Sequence, residues 1–465
     1  MTEQEMLQSN ASGRPVYLGF SHGTARNVFD YLRPLLHSLV TPMGLIALLA
    51  LFAIFAYGWQ GRRGKEVLLY IATLTGMVGY FVSPYWNNTL IPPLEMFRSL
   101  CKPVFVLAVG FMGMRYLAAQ SSLRRSTLRP AAAAYLLLMV LYFVRVVFVA
   151  PERAAGGVAL LMLLFWGLLQ YFRRSIATGQ DLVATMSAGV LAGLSFYLIS
   201  SVQLAFASGR IVFAGRFCGL ASNPQSAGEI TASLIPMANY LIISGFSSRW
   251  QKILGMAGLV VMLPFLVWTG SRTAMGMTVV ALLVMNGVKA RRWVAMGAAA
   301  ILAKVIYSHF FGASFSSSHL LSLQNDRGAV WQRGWNLFLS HPMFGKAGVH
   351  LLVENSLISV AMGLGIVGLA VLGVLVWAQA SDTLLVLRNK RRLDKESEKI
   401  CDFVLALGLG FASGMLFDAY LLAVATTEAV LLSLVLALTS VACDLVAAQT
   451  SHRHVQAPSD SPIVA

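Results

Sequence analysis

The chain has 465 residues, of which 57% are hydrophobic and 12% charged, with a mean hydropathy of +0.71. Soluble globular domains carry roughly 45–50% apolar and about 25% charged residues, so a soluble fold is excluded, and the lack of alternating ten-residue segments excludes an outer-membrane barrel. The formal net charge of +16 is spread through short inter-span loops, which is the positive-inside pattern of a membrane protein and not a nucleic-acid footprint.

Residues 1–38 form a polar, mixed-charge segment without the apolar h-region of a cleavable signal peptide. Apolar runs then recur at the length an α-helix needs to cross about 30 Å of hydrocarbon. They predict spans near 39–59, 67–85, 103–119, 130–150, 154–172, 182–205, 226–245, 252–268, 273–288 and 293–308. Further spans are expected near 354–378, 401–420 and 423–446. The reading is an all-α polytopic membrane bundle of about 12–13 helices. It has a first membrane part over 39–308, one large polar loop over 309–353, C-terminal membrane helices over 354–446 and a tail over 447–465. Alternate loops carry the bases, among them Arg62, Arg63, Arg124, Arg125, Arg129, Arg173, Arg174, Arg249, Lys289, Arg388 and Lys390. That side is expected to be cytoplasmic, which leaves 309–353 facing outward. Thirteen spans with the C-terminus inside would put Arg14, Arg26 and Arg33 outside. Residues 17–40 are therefore expected either to insert as a further helix or to lie on the surface as an amphipathic one. Cys101, Cys218, Cys401 and Cys443 lack metal-ligand spacing and are expected to be small apolar fillers.

Charges inside apolar spans are costly, so their depth is informative. Arg145, Glu229, Lys304, Asp418 and Glu428 all fall in the outer half of their spans, which predicts a polar cavity opening outward. Snorkelling to the interface is the plainer alternative for each of them.

Three outward segments present arginines beside glycines or turns: GRFCGLASNPQ with Arg216, WTGSRTAMG with Arg272, and NDRGAVWQRGW with Arg327 and Arg333. A planar guanidinium suits phosphate oxygens and stays protonated beside apolar surface. Together they predict a site for an anionic head group on a lipid tail, against the plainer reading of loop arginines held by interfacial phosphates. Arg272 opens a helix, whose N-terminal amides would add to an anion site. Glu354 and Asn355 stand where the next helix begins, so Glu354 is either a cap favoured by the helix dipole or a general base near the arginines. His350, four residues earlier, shares its face if the helix starts early. The GxxxG of Gly410 to Gly414 is expected to serve packing. No Walker A, GxSxG, HExxH or acidic DxD-like cluster appears on the outward side, so an external reaction needs a substrate that arrives already activated.

The ordered motifs resemble those of the O-antigen ligase and O-antigen polymerase family of bacterial inner-membrane glycosyltransferases. The likeness rests on Arg216 before G-x-x-x-N-P, on T-x-S-R at Arg272, and on R-x-x-x-W at Arg327–Trp331. It continues with P-x-x-G-x-x-G at Pro342, Gly345 and Gly348, with Glu354–Asn355 followed by Gly365 to Gly368, and with an early VSPYW segment at 82–86. The resemblance implies an all-helical membrane fold of the kind shared by lipid-linked-sugar (GT-C-like) glycosyltransferases, in the inner membrane with its site facing the periplasm. It implies transfer of a glycan from undecaprenyl pyrophosphate to an acceptor hydroxyl, without metal, nucleotide or other cofactor. In that picture Arg216, Arg272, Arg327 and Arg333 hold the pyrophosphate, Asn355, Trp331 and Glu229 support the site, and Arg327 also acts on the reacting group. The family has histidine where this chain has Glu354, so the base is Glu354 or, in its stead, His350. A repeat-unit polymerase is favoured. The alternatives are a ligase to lipid A-core, a pilin O-oligosaccharyltransferase, or, in another class, a lipid-linked oligosaccharide flippase.

Overall fold

A computed structural model describes residues 64–78, 90–118, 129–149, 166–176, 178–206, 212–213, 215–221, 223–287, 327–346, 355–416 and 427–456. The described chain is almost wholly helical. Helices α1 (Gly64–Met77), α2 (Pro92–Ala118), α3 (Pro130–Val149), α4 (helical over 166–175) and α5 (Gly179–Phe206) lead to a two-strand hairpin, β1 (Val212–Phe213) and β2 (Arg216–Phe217). After it come α6 (Pro224–Ile243), α7 (Arg249–Thr269), α8 (Arg272–Asn286), α9 (Arg327–Ser340), α10 (Ser356–Asn389), α11 (Lys395–Met415) and α12 (Thr427–Gln456). Among the described residues, four segments are long and apolar enough to cross a membrane: Gly179–Phe206, Arg249–Thr269, Ser356–Arg392 and Val430–Ala448. The expected spans at 39–59 and 293–308 lie outside the described residues.

Helices α2, α10 and α12 outrun their expected spans because their ends are polar, and an apolar-run reading stops where hydropathy falls although the helix does not. Helix α9 stands inside the interval expected as a polar loop.

Helix α6 is the hub. Asn223 caps it by accepting from Ser226 N at 2.7 Å, and Pro224 follows in the first turn, where its missing N–H costs nothing. Almost every side chain from Ala227 to Leu241 is buried, and α5, α7, α8 and α11 surround it. Small residues let these helices close up. A Cβ on Gly255 would strike the Ala238 carbonyl at 2.6 Å, and one on Gly410 would stand 3.1 Å from the Met277 carbonyl on α8. Gly410, the first glycine of the α11 GxxxG, thus serves packing, as its sequence suggests.

The bundle has two chemically distinct ends. At one, Arg129 bridges Asp382 at 3.4 Å and Asp444 at 2.9 Å, and Arg173 approaches Asp444 at 3.9 Å. Lys390 pairs with Asp402, and Glu396 accepts from Gly245 N at 3.1 Å across the α6–α7 and α10–α11 connections. The hydrogen bond from Lys399, aided by the Gly245 amide, holds the Glu396 carboxyl below the usual carboxylate range. These are loops that the alternation of bases assigns to one side of the membrane. The other end gathers the Ile91 N–H on Gln203 Oε1 (3.1 Å), the β-hairpin, the α7–α8 junction and the start of α10.

Candidate functional site

The hairpin register pairs Val212 with Phe217 and Phe213 with Arg216, with Gly215 in the turn at φ 74°. A left-handed residue is what a tight hairpin turn requires, and glycine supplies it without strain. Two contacts nail the hairpin to α7. The Trp268 indole donates to the Gly215 carbonyl at 3.2 Å, and Phe217 enters an aromatic cluster with Tyr197, Phe265 and Trp268, its ring centroid 4.5 Å from that of Phe265.

That seating delivers Arg216 to the α7–α8 junction, where its Nε donates to the Thr269 carbonyl at 2.6 Å. The junction turns within two residues because Gly270 adopts φ 62°. A Cβ there would stand 3.2 Å from Arg216 Nε. Ser271 caps α8 by accepting from Ala274 N at 3.3 Å, and Arg272 is the first helical residue, exposed. The two motifs, 53 residues apart in sequence at their contact, therefore form one unit at a helix N-terminus, where backbone N–H groups and the helix dipole favour an anion. Helix α6 supports it from below. A Cβ on Gly228 would lie 2.8 Å from Ser271 Cβ, so the α8 cap packs directly on a glycine of α6, and the adjoining Glu229 is buried at 4% exposure. Buried carboxyls beside basic segments are more informative than exposed ones.

Asn355 lies at the same end. Its Oδ1 accepts from Ile358 N at 3.0 Å, capping α10, and its Nδ2 donates to the Leu416 carbonyl at 2.8 Å. The cap that the sequence offers to Glu354 is therefore taken by its neighbour. Leu416 and Arg272 stand at matching height, because Gly410 packs on Met277 and the chains run oppositely. From that contact the two residues are about 9 and 7.5 Å further outward at 1.5 Å per residue.

Trp331 and Arg333 sit on α9, whose main neighbour is α10. Trp331 turns partly inward, with Nε1 enclosed and lacking a hydrogen-bond partner among the described residues. Arg333 is on the exposed polar arc. Arg327 opens α9 four residues before Trp331, the spacing that puts two positions on one face; its side chain, with Glu354, His350, Lys304, Asp418 and the Glu428 side chain, lies outside what is described. Arg145, a candidate for snorkelling, donates from Nη2 to the Gly345 carbonyl at 2.8 Å. The motifs include Thr269 and Asn223 without their roles as backbone acceptor and helix cap, and pass over Gly270; the S-N-P string before an apolar run is the signal that would have found the Asn223 cap.

Among the described residues, no three His, Cys, Asp or Glu side chains converge as metal ligands would. A polar cavity lined by Glu66, Tyr171, Ser175, Gln180, Asp181 and Thr185 lies at the basic end, away from these motifs. No protein-family model matches the chain, and no curated protein matches it.

Proposed function

We propose that this protein is a polytopic inner-membrane glycosyltransferase of about 12–13 spans, resembling the O-antigen ligase and polymerase family. It moves a glycan from undecaprenyl pyrophosphate to an acceptor hydroxyl on the periplasmic side, as a polysaccharide repeat-unit polymerase. The acceptor is a second glycan; a lipid A-core or glycoprotein acceptor would use the same chemistry. The observation that carries the reading is Arg216 clamped on the Thr269 carbonyl at the mouth of the helix that Arg272 opens. Two guanidinium-bearing segments and one helix N-terminus thus share an end of an apolar bundle, which suits a diphosphate whose tail stays in lipid.

In this mechanism the acceptor oxygen attacks the anomeric carbon of the donor sugar. Its proton passes to Glu354, or to His350, and the carbon–oxygen bond to the pyrophosphate breaks. The lipid pyrophosphate leaves with the bond pair, and Arg216 and Arg272, joined by Arg327 and Arg333, stabilise the charge that develops there. Glutamate serves as the base only with a raised pKa, since its ordinary value of about 4.3 is too acidic for the task.

The test is product formation from membranes carrying single variants. Arg216→Ala, Arg272→Ala and Arg327→Ala each reduce polymer by roughly 100-fold or more, the scale of losing one transition-state donor, while the protein still accumulates. Glu354→Gln abolishes product and Glu354→His restores part of it. Full product from all three arginine variants ends the transferase reading and leaves the flippase. A silent Glu354→Gln with a dead His350→Ala moves the base to His350.

A further inference from the structure

The last turn of α9 and the break in α10 interlock. Gly365 leaves the helical region at φ 65° and ψ −155°, and Gly345 sits at φ 63° in the turn after α9. The Ile366 and Val367 amides, which the break removes from the α10 ladder, donate to the Pro342 and Met343 carbonyls at 2.8 and 3.4 Å. In return Lys346 N donates to the Met362 carbonyl at 2.8 Å, and Arg145 of α3 satisfies the Gly345 carbonyl. Non-helical backbone is tolerated at hydrocarbon depth only where its polar groups are satisfied in this way.

Two helices measure the depth independently. Arg145 lies 16 residues beyond Arg129 along α3, and Ile366 lies 16 residues before Asp382 along α10. Each interval is about 24 Å at 1.5 Å per residue. The Arg129–Asp382–Asp444 ion pairs mark the basic end, with Asp444 more than half exposed. Hydrocarbon is about 30 Å thick, so the 342–345 turn falls at or just inside the opposite boundary of the membrane, not in bulk water.

The side chains displayed there are large and apolar. Trp335 is 45% exposed, Leu339 57%, Met343 56% and Phe344 57%. Trp335 and Leu339 are one turn apart and adjoin the inward Trp331 and Phe338, whereas Arg333, Asn336 and Ser340 form the opposite arc. The apolar face of α9 is therefore wider than the bundle covers, the pattern of a helix lying in a membrane interface. It is continuous with exposed apolar side chains of the neighbouring spans: Val144 and Phe148 on α3, flanking Arg145, and Ile366 on α10.

We propose that α9 and its following turn are an interfacial element. It seats Trp335, Leu339, Met343 and Phe344 among the acyl chains of the leaflet opposite the basic loops. Lipid is the occupant of this face, and the arc bearing Arg333 stands at headgroup level. This seating is independent of the transferase reading.

The test uses the full-length protein in phosphatidylcholine–phosphatidylglycerol vesicles. The four native cysteines are buried, so Leu339→Cys, Met343→Cys, Asn336→Cys and Ser340→Cys carry an environment-sensitive fluorophore. Positions 339 and 343 are quenched by acyl-chain doxyl lipids and are several-fold less sensitive to aqueous iodide than 336 and 340. Equal iodide quenching at all four overturns the proposal. So does shielding of 339 and 343 from both quenchers, which would mean a second copy or another protein covers the face. If a labelled variant misfolds, Trp335→Cys probes the same stripe.

Discussion

At Asn355 one amide serves two helices. Its oxygen caps α10 and its nitrogen ties that helix start to the α11 end through Leu416. Asn355→Asp keeps the acceptor and loses the donor, whereas Asn355→Ala loses both. A cap contributes about 0.5–2 kcal/mol and a neutral hydrogen bond about 0.5–1.5 kcal/mol. Unfolding midpoints in detergent should therefore rank wild type, then Asn355→Asp, then Asn355→Ala, with the alanine variant about 1–3 kcal/mol less stable. An aspartate variant as stable as wild type would show that the bond to Leu416 contributes nothing. The sequence offers this cap to Glu354 and misses by one residue, since the choice depends on the helix register. Asn355 takes it by holding the extended φ of −165° that a capping residue needs. Arg216 is legible from its glycine-rich setting. Its partner is not, because a backbone carbonyl accepts from any donor and leaves no trace in residue identity.

At the scale of elements, the junction between the α9 turn and α10 rests on two glycines that serve different ends from their neighbours. A Cβ on Gly365 would meet the Pro342 and Met343 backbone at 2.5 Å, and the Gly365 conformation is one that only glycine adopts readily. A Cβ on Gly363, two residues earlier, meets nothing. Gly365→Ala should destabilise by at least about 3 kcal/mol, read as loss of monodisperse protein. Gly363→Ala should stay within about 1 kcal/mol of wild type, with helix propensity in its favour. Equal behaviour of the two variants would refute the interlock. The break is hidden in the sequence because the apolar run continues through Gly365, and a lone glycine in such a run is usually tolerated. The information that decides it lies some twenty residues upstream, in the Pro342–Gly345 turn that packs there. Helix α9 is hidden for a related reason: its arginines, glutamine and asparagine lower the hydropathy, although its apolar positions still recur at helical spacing.

At the scale of the molecule, the alternation of bases along the chain becomes a physical polarity. Residues distant in sequence, Arg129, Arg173, Asp382 and Asp444, meet at one end, and Arg216 meets the junction that Arg272 follows at the other. This much was legible, because loop charge is a property of short segments and needs no knowledge of packing. Lys and Arg near span ends are retained on the cytoplasmic side, so the basic end should face inward and the Arg216–Arg272 end outward. Single cysteines at Gln180 and Arg391 report the first end, and those at Asn336 and Ser340 report the second; all four positions are exposed, and the native thiols are buried and silent. A membrane-impermeant maleimide should label positions 336 and 340 in intact spheroplasts and positions 180 and 391 only after permeabilisation. The reverse pattern would place the arginines in the cytoplasm, where a periplasmic glycan could not reach them. Labelling of all four from one face would mean that these helices do not cross the membrane.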